Sequence, residues 1–240
     1  MKFRKLLSTP LATGLLFVLA VGLIGFGGIR GAQAAPRIIS EWYGAQVEMT
    51  EIETALVEND IIVEGDNTLL KDSFFKANKD NGLAEDGSGF AIGKTYDEVL
   101  TVENVGTIPQ YVRVSVYRYW VDADGNALKN EDSAKFDPEY IELGFATDGG
   151  WSIDKDASTE ERVVLYYNRD LAVGERLSDD PFVTTVRISP EVSSLLSADG
   201  SYKYEGVNFR IEATVDAVQT HNGSDAMRSA WGQTNAEGVA

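Results

Sequence analysis

The stretch Val207-Asn208-Phe209-Arg210-Ile211-Glu212-Ala213-Thr214-Val215-Asp216-Ala217 decides the fold. Apolar and polar residues alternate through it without a miss. Successive side chains of a strand point to opposite faces, so this period of two specifies one buried face and one wet face. Val207, Phe209, Ile211, Ala213 and Val215 are expected to line the buried side of a central strand, with Asn208, Arg210, Glu212, Thr214 and Asp216 on the other side. Residues 110–121 (QYVRVSVYRYWV) read as a second long strand. Val112, Val114 and Val116 share one face, and Arg113, Ser115 and Tyr117 the other.

Working outward, further strands are expected near 46–57, 95–104, 139–145, 161–167 and 181–188. Each is rich in β-branched or aromatic residues and bounded by turn-formers. Asp122-Ala123-Asp124-Gly125-Asn126 reads as a hairpin turn, with Gly125 free to take positive φ. Two short helices are expected. Ser189-Pro190-Glu191 opens one, with Val192, Leu195 and Leu196 turned inward. The other runs from Asn222 to Trp231, with Asn222 or Ser224 as its cap, Gly232 as its stop, and Met227 and Trp231 on one face. Residues 64–90 are harder to read. Leu69-Leu70 and Phe74-Phe75 look anchored, whereas Asn78 to Gly89 reads as a mobile loop. About seven or eight strands at this spacing imply an all-β fold, a two-sheet antiparallel sandwich with one or two short helices. One domain suffices, since sandwiches reach about 200–250 residues.

The N-terminus carries its own message. Lys2, Arg4 and Lys5 precede an apolar run from Leu11 to Ile29, closed by Ala32-Gln33-Ala34-Ala35. That order of charge, apolar run and A-x-A site is an export signal, best cut after Ala34. The expected organisation is a signal-peptide helix over 1–34, a β-sandwich domain over 35–232 and a flexible tail over 233–240. A retained membrane anchor is the rival, because the run approaches bilayer-spanning length. Gly14, Gly22, Gly25, Gly27 and Gly28 weaken that rival, each costing a helix about 1 kcal/mol against alanine.

The whole chain has 21 basic and 38 acidic residues. Four of the basic ones, Lys2, Arg4, Lys5 and Arg30, lie in the leader, leaving 17 against 38 and a mature charge of −21. So acidic a surface argues against nucleic acid and, once the leader is gone, against anionic membranes as partners. Cysteine is absent, which removes disulfides and thiol catalysis. His221 is the only histidine. Catalytic zinc sites commonly use two or three, and a serine triad would have to recruit this one from between a strand end and a helix cap. No H-E-x-x-H, G-x-S-x-G, Walker or dinucleotide motif is present. The chain therefore reads as a non-enzyme, with no catalytic, metal or cofactor residues assigned and no cofactor expected.

Two weaker signals remain. Asp122, Asp124 and Asn126 have the spacing of the first half of a calcium loop. Glycine falls at loop position four instead of six, however, and Ser133 stands where a bidentate glutamate is expected. A plain turn fits better. Trp42, Tyr43, Tyr111, Tyr117, Tyr119, Trp120, Trp151, Tyr166 and Tyr167 could stack on sugars, but in a sandwich most such rings serve as core or cross-strand partners.

Several segments together carry a family resemblance. They are the leader end Gly27-Gly28-Ile29-Arg30-Gly31-Ala32, Glu41-Trp42-Tyr43-Gly44-Ala45-Gln46-Val47-Glu48-Met49, Gly93-Lys94-Thr95-Tyr96, Glu103-Asn104-Val105-Gly106-Thr107-Ile108 and Gln110-Tyr111-Val112-Arg113-Val114. Tyr119-Trp120-Val121-Asp122, the run from Glu212 to Asn222, and Ser229-Ala230-Trp231-Gly232 complete it. Across nearly its whole length the chain resembles exported Gram-positive proteins with alternate, SipW-type, signal peptides. More distantly it resembles the TasA/camelysin group of biofilm matrix proteins. The resemblance implies a jelly-roll sandwich, an extracellular or cell-surface location, and self-association into fibres by strand donation. The donated stretch would be Pro36 to Tyr43 (PRIISEWY); an ordinary intramolecular first strand is the competing reading. The metalloprotease activity described for camelysin is not carried over, because the ligands are missing. A carbohydrate- or protein-binding adhesion module is the alternative function.

Overall fold

The computed structural model describes residues 51–64, 69–128, 136–197 and 199–233. The leader, the stretch Pro36–Tyr43, Ser133 and the tail beyond Gln233 lie outside the described residues. All described residues belong to the unit Met49–Ala240.

Nine strands are present among them: β1 (Thr54–Glu58), β2 (Ile61–Ile62), β3 (Thr95–Asn104), β4 (Gln110–Val121), β5 (Ile141–Phe145), β6 (Trp151–Asp154), β7 (Arg162–Tyr167), β8 (Val183–Ile188) and β9 (Asn208–Gln219). They form a five-stranded sheet ordered β2-β1-β3-β8-β5 and a four-stranded sheet ordered β6-β7-β4-β9. Every pairing is antiparallel. The two-sheet antiparallel sandwich expected from the alternation is therefore the fold.

The alternation works as the physics requires. Val112, Val114 and Val116 of β4 are buried between the sheets, opposite Tyr96, Leu100 and Val102 of β3 and Val183, Val186 and Ile188 of β8. Trp151, Tyr167 and Phe182 interlock, with the Trp151 ring centroid 5.0 Å from Tyr167 and 5.2 Å from Phe182. Fully burying a Val, Leu or Phe contributes about 1.5–3 kcal/mol. With no cysteine available, this core holds the sheets together.

Two helices flank the sheets: α1 (Asp72–Ala77) and α2 (Gly223–Trp231). Phe74 of α1 is buried and meets the Tyr96 ring edge-on. Met227 and Trp231 of α2 pack with Val218 and Tyr111 on the outer face of the four-stranded sheet, as their spacing foretold. Gly232 ends α2 at φ +75°. Neither expected cap operates: Asn222 takes a left-handed conformation, and no side chain caps the helix start. Pro190–Ser194 is a 3₁₀ turn instead of an α-helix. Val192 is buried there, but Leu196 is exposed, because the turn ends before a second inward position can form.

Three further expectations are corrected. β9 is the edge strand of its sheet, not a central one. Ile211 and Ala213 are buried, while Phe209 and Val215 are half-buried and pack on the core. Of the expected strand near 46–57, residues 46–50 lie outside the described residues, and within the rest β1 begins at Thr54. Residues 78–89 are pinned, with Leu83 and Asn78 buried. The Asn78 amide donates to Phe74 O at 3.0 Å and to Asp97 O at 2.8 Å, and its oxygen accepts from Asp97 N at 2.9 Å. One side chain thus extends the ladder of β3. Asn78→Ala is expected to cost about 2 kcal/mol by removing the partner of Asp97 N and O and a buried side chain. Thermal unfolding should show the loss, and Lys79→Ala, on the exposed neighbour, should show none.

Candidate functional site

Each sheet must end somewhere, and β9 ends the four-stranded one. It pairs with β4 from Asn208 to Gln219 without a register shift. The Ile211 carbonyl points away from β4, accepting from Leu69 N at 3.0 Å. In a strand, residues two apart aim their backbone groups to the same side. Ala213, Val215 and Ala217 therefore turn their N–H and C=O groups to the outer edge. Among the described residues none of these groups has a backbone partner. Edge strands are commonly blunted by proline, lysine, bulges or shortness. This twelve-residue edge has none of the four, although β1 lies close beside β9 and Arg210, Glu212 and Asp216 put charges on the strand.

A second feature lies at the start of the same strand. An open cavity of about 440 Å³ is walled by Phe90, Trp120, Tyr202, Tyr204 and Phe209, with Glu205 among its lining residues. The 3₁₀ turn contributes Val192 to its wall. The rings brace each other: Trp120 lies 4.7 Å from Tyr204 and Phe90 lies 5.5 Å from Phe209, centroid to centroid. Asp137 backbone consumes the polar atoms of the deeper rings. Trp120 Nε1 donates to Asp137 O at 2.8 Å, and Tyr204 OH accepts from Asp137 N at 3.1 Å. Burial, the largest influence, holds the Tyr204 phenol above its usual range, so it stays neutral. Ile92, Leu196 and Tyr202 are exposed around this end of the molecule.

A third feature is a buried pair of carboxyl groups. Glu58 of β1 accepts from Leu70 N at 2.6 Å and from Ser73 Oγ at the start of α1. Glu98 sits at the β3 bulge, where the register shifts between Asp97 and Leu100. It accepts from Asn59 Nδ2 at 3.2 Å, while its Oε1 is buried without a partner. Burial first, then the charge of Glu58, raises Glu98 well above the usual carboxylate range.

The residues singled out from sequence fall elsewhere. His221 is exposed in the turn between β9 and α2. Asp122 accepts from Asp124 N and Asn126 N, both at 2.9 Å, so its carboxylate closes its own turn. Those bonds, first among them the one from the Asn126 side chain, lower Asp122 below its usual range. Gly125 takes φ +84° in that turn, as the sequence required. Among the described residues no three His, Cys, Asp or Glu side chains come together as a metal site. Trp120, Trp151 and Tyr167 are buried in the sandwich, Tyr166 is buried against Trp231 of α2, and Tyr111, Tyr117 and Tyr119 are half-buried. Phe90, Tyr202, Tyr204 and Phe209, which build the cavity with Trp120, were not read as a site. They come from separate segments that only the fold joins. No protein-family model matches the chain, and neither a curated protein nor a solved structure matches it at a significant level.

Proposed function

We propose that the protein is a secreted structural subunit of the cell surface or biofilm matrix that self-associates by strand donation. The observation carrying this reading is the outer edge of β9, long, regular and unpaired past Ile211 among the described residues. The donor is Pro36–Tyr43 of another copy, which carries Ile38, Ile39 and Trp42 in a short β-prone stretch next to the cut site. Backbone pairing at an open edge is a general recognition mode, and a head-to-tail contact that does not close yields a filament. Leader removal frees the donor, so assembly follows export.

Proline tests the edge directly. The Val215 N–H faces outward, so Val215→Pro deletes a bond to an incoming strand and none to β4. Thr214 faces β4, so Thr214→Pro should damage the fold itself. The mature chain is expected to sediment as filaments. Val215→Pro and a chain lacking residues 35–43 should stay small. A mature chain that stays monomeric at every concentration, including low pH where the charge of −21 is suppressed, would sink the proposal. So would a folded Val215→Pro that polymerises like the parent.

A further inference from the structure

The aromatic cavity beside Tyr202–Phe209 lies apart from the unpaired part of the β9 edge, and its chemistry is different. We infer that it is a binding site for a small organic cation, a quaternary or fully alkylated ammonium group. Among the described residues, five aromatic rings and a single carboxylate, Glu205, line about 440 Å³, which is within the usual range for small-molecule sites. A sugar would need several free hydrogen-bonding groups at the rings. Trp120 Nε1 donates to Asp137 O and Ser193 Oγ to Pro190 O at 2.7 Å, while Tyr204 OH accepts from Asp137 N, so at the deeper rings only the Tyr204 O–H is left to donate; the other polar groups of the lining belong to the exposed Tyr202, Glu205 and Asn208. An anion would meet Glu205 and a chain of formal charge −17.

A metal ion or primary ammonium is strongly hydrated and would need oxygen ligands to replace its water. Glu205 and Asn208 alone do not supply them. An alkylated ammonium asks for no hydrogen bond. It is stabilised by aromatic rings and by one nearby carboxylate, and this cavity is lined by both. The same ring cluster already attracts an ammonium on its outer side. Lys203 Nζ lies 5.4 Å from the Phe136 centroid and 5.8 Å from that of Tyr204. Neither Lys203 nor Phe136 is among the described residues that line the cavity.

The test is calorimetric titration of the mature protein with choline, beside its neutral isostere 3,3-dimethylbutan-1-ol. Amide chemical shifts locate the site. Choline is expected to bind saturably, shifting Val192 and Tyr202–Phe209, and to bind about tenfold more tightly than the neutral alcohol. Glu205→Gln, on an exposed residue, should keep the melting temperature and weaken choline by about tenfold while leaving the alcohol unchanged. Tyr202→Ala, also exposed, should weaken choline without unfolding the protein. Added salt should weaken choline alone. The inference is overturned by the absence of saturable choline binding, by equal binding of the two isosteres, by an unaffected Glu205→Gln variant, or by shifts outside this cavity.

Discussion

Glu98→Gln is expected to abolish most of the stability loss that ionisation of Glu98 causes as pH rises above the ordinary carboxylate range. Glu58 accepts from Leu70 N and Ser73 Oγ, one donor at each of its carboxylate oxygens. Glu98 is buried beside it with Oε1 unpartnered. A proton on Glu98 resolves both facts, since a protonated carboxyl can donate to Glu58. A second buried charge there would be unpaired and repelled. Burial, before the charge of Glu58, accordingly holds Glu98 well above its usual range. The sign follows from proton counting. Between the unfolded and folded pKa the native state binds more protons, so stability falls as pH rises. The contribution is complete below the unfolded value and is lost through the folded one.

Glutamine keeps the donor to Glu58 and the acceptor for Asn59, and it cannot ionise. Denaturant melts at a series of pH values should show the variant close to the parent in mild acid and more stable than it in alkali. Subtracting the two curves cancels the repulsion among surface acids, which both proteins share. Parallel curves would show that Glu98 ionises freely. Glu58→Ala should be worse at every pH, by about 3 kcal/mol, because it strands Leu70 N, Ser73 Oγ and the Glu98 proton at once.

Much of this sandwich was legible because a half-buried antiparallel strand writes its two faces into the sequence. β3, β4 and β9 are long enough for the period of two to show. β2 has two residues, β6 four and α1 six, too few for any period to stand out. Edge position left no mark, since Val207 to Ala217 would alternate equally well in the middle of a sheet. The hint available at the carboxyl pair was parity. Glu98 shares the face of Tyr96, Leu100 and Val102, where an acid is out of place. The aromatic cavity was hidden for another reason: its rings arrive from residues 90, 120, 202, 204 and 209, and no local pattern links them. Asn78 reads as a turn-former by composition, and only the distant Asp97 reveals it as a ladder residue.

The other large effect is expected at Asn104, which joins the two sheets where β3 turns into β4. It is fully buried. Its amide donates to Ile108 O and Leu171 O, both at 2.9 Å, and its oxygen accepts from Gly106 N at 3.0 Å and from Gln110 Nε2. Gln110, also fully buried, passes the network on to Glu53 O at 2.9 Å and to Thr54 Oγ1 at 2.8 Å. β1, β3, β4 and the Leu171 segment thus meet in one satisfied polar knot. Gly106 permits the closeness, since a Cβ there would stand 2.5 Å from Glu51 O and 2.8 Å from Glu53 N.

Asn104→Ala leaves Ile108 O without its donor and opens a void, for an expected loss of about 3 kcal/mol. Asn104→Asp discriminates a polar knot from simple packing. It preserves volume but aims an acceptor oxygen at two carbonyl oxygens. It should therefore be destabilised more than alanine at neutral pH, and should recover in acid as the new carboxyl takes up a proton and regains a donor. Equal losses for the two variants at all pH values would mean that Asn104 merely fills space. The same experiment read by proteolysis should show cleavage beginning near Glu51–Glu53, because β1 is held at that end by Gln110 and Gly106 more than by apolar burial: Glu51 to Glu53 are exposed, and the buried part of β1 starts at Leu56.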